Sequence, residues 1–453
     1  MTKQQRLTII ISILASFVAF LDGSVVNVAL PAITKELGGG LITQQWVVDA
    51  YLITLSALIL LAGSLADIFG RKKILFYGLV GFGITSILCA VAPSATFLII
   101  ARALQGVAGA LLVPSSLAII ISVFSGTAQS KAIGIWTAWT GIAFVIGPLL
   151  GGFLVDVYSW RLIFVINVIP IAGTVWLLQS LKLKEPAVGN ARLDMWGGFL
   201  CVAGLTGTVY ALIQQSHHGW GSPVIYIPLT IGISALIAFI WHESRTKTPM
   251  LPLSLFKVRN FSAGNISTVF VYAGLSIATF LITIFLQQTA GYSAITAGLA
   301  LLPITLLMFV LSPRFGALAG KYGPRLFMTV GPIIAGLGFL SMVLVSNPIH
   351  YWTQLFPGVI LFGIGLSITV APLTSAVLGS ITSNHAGIAS AVNNAISRIA
   401  GLIAIASISI VTGTTITTQS FHKGAIAMAV LLLIGGIASA VGIQNHHKKV
   451  TIR

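Results

Sequence analysis

Two stretches decide how this chain folds. The first reads Gly63-Ser64-Leu65-Ala66-Asp67-Ile68-Phe69-Gly70-Arg71-Lys72-Lys73, and the second Gly316-Ala317-Leu318-Ala319-Gly320-Lys321-Tyr322-Gly323-Pro324-Arg325. Both place two glycines seven residues apart, with Leu-Ala inside and a basic residue just beyond. Each follows a long apolar run and precedes another. A polar, glycine-bounded element repeated at this distance marks an internal duplication. Both copies leave their preceding run at the same membrane face, so the two halves run parallel.

Outward from these loops, the sequence is almost all apolar. Only 7% of its 453 residues are charged and 57% are hydrophobic, with a mean hydropathy of +1.02. Soluble domains carry about 25% charged residues, so soluble enzymes and disordered chains are excluded and a polytopic membrane protein is expected. Windows of about 20 apolar residues give fourteen spans, near 7–30, 45–66, 74–92, 95–123, 132–156, 161–181, 193–215, 224–242, 260–287, 293–319, 326–346, 351–379, 385–415 and 424–443. The first is expected to stay uncleaved, since no small-residue cleavage site follows it.

The net charge of +16 does not mean nucleic acid, because the basic residues stand singly or in short clusters between apolar runs. With the N-terminus inside, eighteen Lys and Arg fall in cytoplasmic segments and three (Lys35, Arg161, Lys423) outside. The positive-inside rule then puts both termini in the cytoplasm of a cell-membrane protein. Cys89 and Cys201 lie in apolar runs and are expected to be free thiols, and no metal-ligand spacing occurs. The repeats make spans 1–6 (residues 1–185) one half and spans 9–14 (251–453) the other. Spans 7 and 8 (186–250) form an inserted hairpin between the polar stretches Lys182–Arg192 and Glu243–Asn260.

Charges inside spans are expensive and usually functional. Five occur: Asp22, Asp49, Arg102, Arg314 and Arg398. Arg314 is near a span end and can snorkel. Asp22 and Arg102 are expected to meet, since a carboxylate facing an arginine is the least costly way to keep both in low dielectric. Loss of water favours the protonated acid and the guanidinium favours the carboxylate, so a change in access would move a proton. Asp49 is either a third member or a solvated residue near the interface. No Asp or Glu follows Glu243, so carboxylate proton chemistry is expected in spans 1–6. Arg398 is expected to reach Asp22 or Asp49, or to attract an anionic substrate.

Several motifs in this order carry a family resemblance. They are Leu21-Asp22-Gly23-Ser24-Val25-Val26-Asn27-Val28-Ala29-Leu30-Pro31, the loop Gly63–Lys73, Arg102-Ala103-Leu104-Gln105-Gly106-Val107-Ala108-Gly109, and Gly141 followed by Gly147-Pro148-Leu149-Leu150-Gly151-Gly152. With them go Ser159-Trp160-Arg161-Leu162-Ile163-Phe164-Val165-Ile166-Asn167, Leu286-Gln287-Gln288-Thr289-Ala290-Gly291-Tyr292-Ser293 and Ala297-Gly298-Leu299-Ala300-Leu301-Leu302-Pro303. The whole chain resembles the major facilitator superfamily, in particular the fourteen-span drug:proton antiporters of the EmrB/QacA type. The resemblance implies an all-α fold of two six-helix halves and export of lipophilic drugs driven by protons. It supports proton coupling by Asp22 and Arg102, with Asp49 a further candidate from its place in span 2 rather than from a family motif, and a latch at Gly63, Asp67, Gly70, Arg71 and Lys72. It also makes Gly141, Gly147, Pro148, Gly151 and Gly152 the antiporter motif. One departure is Gly320 where the first loop has Asp67.

A substrate cavity is expected between the halves. Its candidate wall residues are Trp136, Trp139, Phe280, Gln287, Met308, Asn393, Asn394 and Arg398, because aromatic and Met walls suit greasy planar molecules. No cofactor is expected beyond the proton as coupling ion, and no ATP loop occurs. The expected partners are a lipophilic small molecule, protons and the bilayer, with a monomer as the working unit and a periplasmic adaptor left open. The alternative is a dedicated exporter or flippase of a lipid, fatty acid or secondary metabolite. A membrane enzyme would need clustered acids or histidines, which the scattered acids do not supply.

Overall fold

The computed structural model describes residues 2–124, 126–181, 193–381 and 386–445, and among these it contains helices and no strands. The first six spans are α1 (Lys3–Leu37), α2 (Gly40–Phe69), α3 (Arg71–Ala90), α4 (Ala95–Val123), α5 (Gly126–Val157) and a broken helix, α6 (Leu162–Val165) with α7 (Val168–Gln179). The inserted hairpin is α8 (Met195–His218) and α9 (Pro223–Arg245). Then follow α10 (Arg259–Ile284), α11 (Ala294–Tyr322), α12 (Pro324–Ser341), α13 (Phe356–Gly379), α14 (Ala386–Thr412) and α15 (Thr418–Gly442). Fourteen stretches among the described residues are long and apolar enough to cross a membrane. In lipid a helix satisfies its own backbone, which is why apolar runs of this length become helices.

Helix starts and stops have local causes. Ser94 accepts the amide of Phe97 at the start of α4, and Thr417 forms a capping box with Ser420 at α15. Gly70 turns the chain between α2 and α3 at φ 96° and ψ 130°, and Gly323 does the same between α11 and α12 at φ 88° and ψ 152°. Only glycine adopts such angles without strain, so the duplicated loops share one backbone device.

α1 exceeds the expected 7–30. It runs through Pro31 and stops at Gly38, where φ is 81°. A proline removes one hydrogen bond and does not end a long helix whose neighbours hold it. Asp22 therefore lies two residues past the midpoint of the 3–37 helix.

The chain forms two compact units. One is Met1–Leu251 with Ile282–Leu299 and Gly413–Thr415; the other is Pro252–Leu281, Ala300–Thr412 and Ile416–Arg453. The α8–α9 hairpin belongs to the first, where α8 lies on α2 and Tyr210 meets Trp46 with ring centroids 6.1 Å apart. Ile11, Val18, Leu55, Leu79, Phe82 and Leu112 fill the core of that unit. Close helix approach, not expulsion of water, drives such packing in lipid. Gly106 of α4 lies against the carbonyl of Tyr51, close enough for Thr54 to donate to the Ala103 oxygen at 2.7 Å. In the second unit Gly331 and Gly338 of α12 pack against Gly365 and Gly358 of α13 in the same manner.

Candidate functional site

The first unit encloses a polar network built from five spans. Asp22 on α1 and Arg102 on α4 are 0% and 1% exposed. Arg102 donates to Asp22 Oδ2 at 2.6 Å, to Gln105 Oε1 at 2.6 Å and, through Nε, to the Val47 carbonyl of α2 at 3.1 Å. Residues three apart on a helix share a face, so Arg102 and Gln105 arrive together. Asp22 Oδ1 accepts from Gln105 Nε2 at 3.2 Å and from Asn167 Nδ2 at 3.0 Å. Ser86 of α3 accepts from both amides, at 2.9 and 3.1 Å. Asn167 reaches this point because it stands at the break between α6 and α7. The guanidinium stacks on the Tyr51 ring, 4.3 Å from its centroid, with Phe164 at 5.8 Å.

In this arrangement three donors, two from α4 and one from the α6–α7 break, hold a carboxylate of α1. Breaking a buried pair by removing one partner costs about 3–5 kcal/mol. Asp49 is also fully buried, and neither carboxyl oxygen has a hydrogen-bond partner. It stands two residues from Val47, whose carbonyl binds Arg102, but it does not join the network. The solvated reading of Asp49 is thereby excluded: an ionised carboxylate there would be uncompensated.

The glycine-bounded loop reaches the C-terminal part of α4 and the chain just past α7. Arg71 donates to the Ala118 carbonyl of α4 at 3.1 Å, and Lys72 to the Leu181 carbonyl just past α7 at 2.7 Å. A cation at a helix C-terminus is favoured by the dipole. Gly63 faces open space. Asp67 stands near the end of α2, and its side chain lies outside the described residues.

The glycines of α5 make close contacts on two sides. A Cβ on Gly147 would strike Ser24, and one on Gly151 would strike Val25, both of α1. Gly152 lies against the backbone of Ile295, and Gly298 against the carbonyl of Pro148, whereas Gly141 faces open space. One turn further on, Asp156 caps the start of α11, accepting from the amides of Ala294 at 3.0 Å and Ile295 at 2.8 Å. Gln287 donates to the Val28 carbonyl at 2.9 Å. A shallow groove of about 600 Å³ opens here between Lys35, Asp156, Gln287 and Tyr292.

The remaining candidates are spread over both units. Trp136 donates to the Ser12 carbonyl at 3.2 Å and Ser16 Oγ at 3.1 Å, fixing α5 to α1, while Trp139 is 53% exposed. Phe280 is fully buried in the second unit and Met308 is half-buried. Asn393 of α14 donates to Asn265 and Thr268 of α10, both at 2.9 Å, and Arg398 donates to Asn394 at 2.8 Å. These residues form a neutral amide seam with one cation.

Gln105, Asn167, Ser86 and Tyr51 are not among the expected site residues. Gln105 and Asn167 lie within the quoted motifs, which is the available signal; Ser86 and Tyr51 carry none.

Residues 12–405 match the family described as Major Facilitator Superfamily. The chain is 35% identical to the methylenomycin A resistance protein of Bacillus subtilis, over 88% of this chain and 85% of that protein. It is 33% identical to the multidrug resistance protein Stp of Mycobacterium tuberculosis, over 90% of this chain and 75% of that one. Among solved structures, a crystal structure of the peptide transporter POT in complex with sulfate superposes with a TM-score of 0.71, at 17% identity. That match covers 96% of this chain and 93% of the other. At that identity the likeness concerns the fold.

Proposed function

Given that the chain belongs to the Major Facilitator Superfamily and is a multi-pass membrane transporter related to drug-resistance proteins, we propose that it exports lipophilic drugs or toxic small molecules by proton antiport, through alternating access. The observation that carries this reading is the enclosed carboxylate of Asp22, held by Arg102, Gln105 and Asn167.

Protonation of Asp22 removes the charge on which three donors converge, and α1, α4 and the α6–α7 break lose their common attachment. Arg102 keeps Gln105 Oε1 and the Val47 carbonyl as acceptors, so its own charge stays solvated by dipoles during the step. Release of the proton restores the ion pair. Asp49, enclosed and without hydrogen-bond partners, is the second carboxyl assigned to proton carriage. The bias of basic residues supports a cytoplasmic-membrane protein with both termini inside.

A second reading, a dedicated exporter of one compound, is favoured by the relative named for methylenomycin A alone. Purified protein in liposomes with an internal pH dye separates the two. Proton movement evoked by several unrelated lipophiles supports the drug antiporter; a response to one compound supports the dedicated exporter. Equal proton movement in wild type and Asp22→Asn would defeat the coupling assignment.

A further inference from the structure

The base of the α8–α9 hairpin holds two acidic side chains that the transport reading does not use. Asp194 caps α8, accepting from the Gly197 amide at 2.8 Å through Oδ1. The same oxygen meets His242 Nε2 at 2.8 Å. Glu243, near the end of α9, is 3% exposed, and its Oε2 accepts from the Leu251 amide at 2.9 Å. One oxygen of each carboxyl is left over. Asp194 Oδ2 and Glu243 Oε1 are buried and have no hydrogen-bond partner. Both point to the same place: each lies 2.7 Å from the position a Cβ on Gly197 would take.

A hydrogen-bond account of this cluster closes with a single added proton. Asp194 Oδ1 is already served by the Gly197 amide and by His242, and Glu243 Oε2 by Leu251. A hydrogen on Glu243 Oε1 donated to Asp194 Oδ2 satisfies both remaining atoms at once. Without it, two buried carboxylate oxygens face each other, which is the most costly arrangement available to them. Among the described residues no three His, Cys, Asp or Glu side chains converge closely enough to hold a metal ion. The cluster therefore suits a proton better than a metal.

We infer that Asp194 and Glu243 bind one proton between them, forming a proton-dependent clamp at the base of the inserted hairpin. The clamp joins the start of α8 to the end of α9. Through Leu251 it also holds the first residues of the segment that leads out of this unit. Three other described titratable or charged groups stand near it. His242 flanks Asp194, with its side chain 27% exposed. Cys201, on α8, is within electrostatic reach of Glu243. Arg245 turns away onto the Trp241 ring, 5.2 Å from its centroid. α2, packed on α8, carries Asp49 and Asp67; the side chain of Asp67 lies outside the described residues, as does the stretch 182–192. The clamp is separate from the Asp22 network and does not depend on the antiport reading.

Infrared spectroscopy of the full chain in lipid nanodiscs tests this directly, through the carbonyl stretch of protonated carboxyl groups. At neutral pH the wild type is expected to show a band that Glu243→Gln removes, that Asp194→Asn shifts, and that Asp22→Asn leaves in place. Glu243→Gln should fold, because its amide can donate to Asp194 Oδ2 as the shared proton would. Hydrogen exchange, corrected for intrinsic rate, gives a second readout. Protection of the Leu251 amide should fall with rising pH in the wild type and stay constant in Glu243→Gln. An unchanged band in Glu243→Gln would show that both carboxyls are ionised and overturn the proposal. A band that appears only after chelator treatment would place a metal ion there instead, and overturn it equally.

Discussion

The two halves turn the chain with the same device and fill their interiors differently. Gly70 and Gly323 adopt matching positive-φ turns. Beyond each, a basic residue grips the end of the last helix of its half: Lys72 on the Leu181 carbonyl, Arg325 on the Ala440 carbonyl at 2.8 Å. Inside the first unit, however, an ion pair organises five spans, whereas the described interior of the second relies on neutral amides and hydroxyls such as Asn393, Asn265, Thr268, Ser267 and Ser439. No carboxylate side chain occurs anywhere after Glu243. The two copies thus share a scaffold that depends on backbone turns and small residues, and the second carries no carboxylate side chain.

The largest effect should come from breaking the charged interior. Asp22→Asn is expected to abolish proton-coupled export while the protein still reaches the membrane. Arg102→Ala should be as damaging, because it leaves Asp22 buried without its cation, at a cost of about 3–5 kcal/mol. Arg102→Lys should retain partial export, since the charge remains and the separate Nε donor to the Val47 carbonyl does not. Export assays at matched expression decide this; full activity of Arg102→Ala would remove the ion pair from the mechanism.

An intermediate effect is expected at the neutral members of the same network. Asn167→Ala removes one donor to a charged acceptor, worth about 1.5–3 kcal/mol, and should slow export about tenfold or more. If Asn167→Ala matched the wild type, the donors around Asp22 would be packing alone. Asn393→Ala, in the amide seam of the second unit, should cost about 1 kcal/mol of thermal stability and leave proton movement per drug exported unchanged. Loss of coupling in that variant would erase the proposed division between the halves.

The smallest effect should be shared. Lys72→Ala and Arg325→Ala each remove a cation from a helix end, worth about 0.3–1 kcal/mol, and melting curves of the two should move alike. A much larger loss for one would show that the loops have diverged in use as well as in the Asp67 to Gly320 exchange.

The contrast is partly legible in the sequence. Asp22 and Arg102 stand out because ionised groups in apolar runs are rare and must be compensated, so their pairing can be read before any geometry. The repeated loops mark the two halves for a similar reason: glycines at fixed spacing before a cation are hard to produce by chance. Gln105 and Asn167 do not stand out, because a neutral amide in a span is inexpensive and common. Asn167 acts only through the break between α6 and α7, which no periodicity announces. Asp194 and Glu243 are hidden differently. They fall at the ends of stretches that read as polar linkers, and only helices running to Arg245 and starting at Met195 bring them together at Gly197. The wall residues are the least legible, since which face of a helix meets which neighbour is settled by packing; Trp136, for example, is bonded to α1.

The proposed antiport places the proton exchanged for drug in the first half. Drug-evoked proton release from purified protein in weakly buffered solution tests it most directly. The wild type should release protons when a transported lipophile binds, Asp22→Asn should release fewer or none, and Asn393→Ala should release as many as the wild type. Undiminished release from Asp22→Asn, with binding intact, would put the exchanged proton elsewhere than on Asp22.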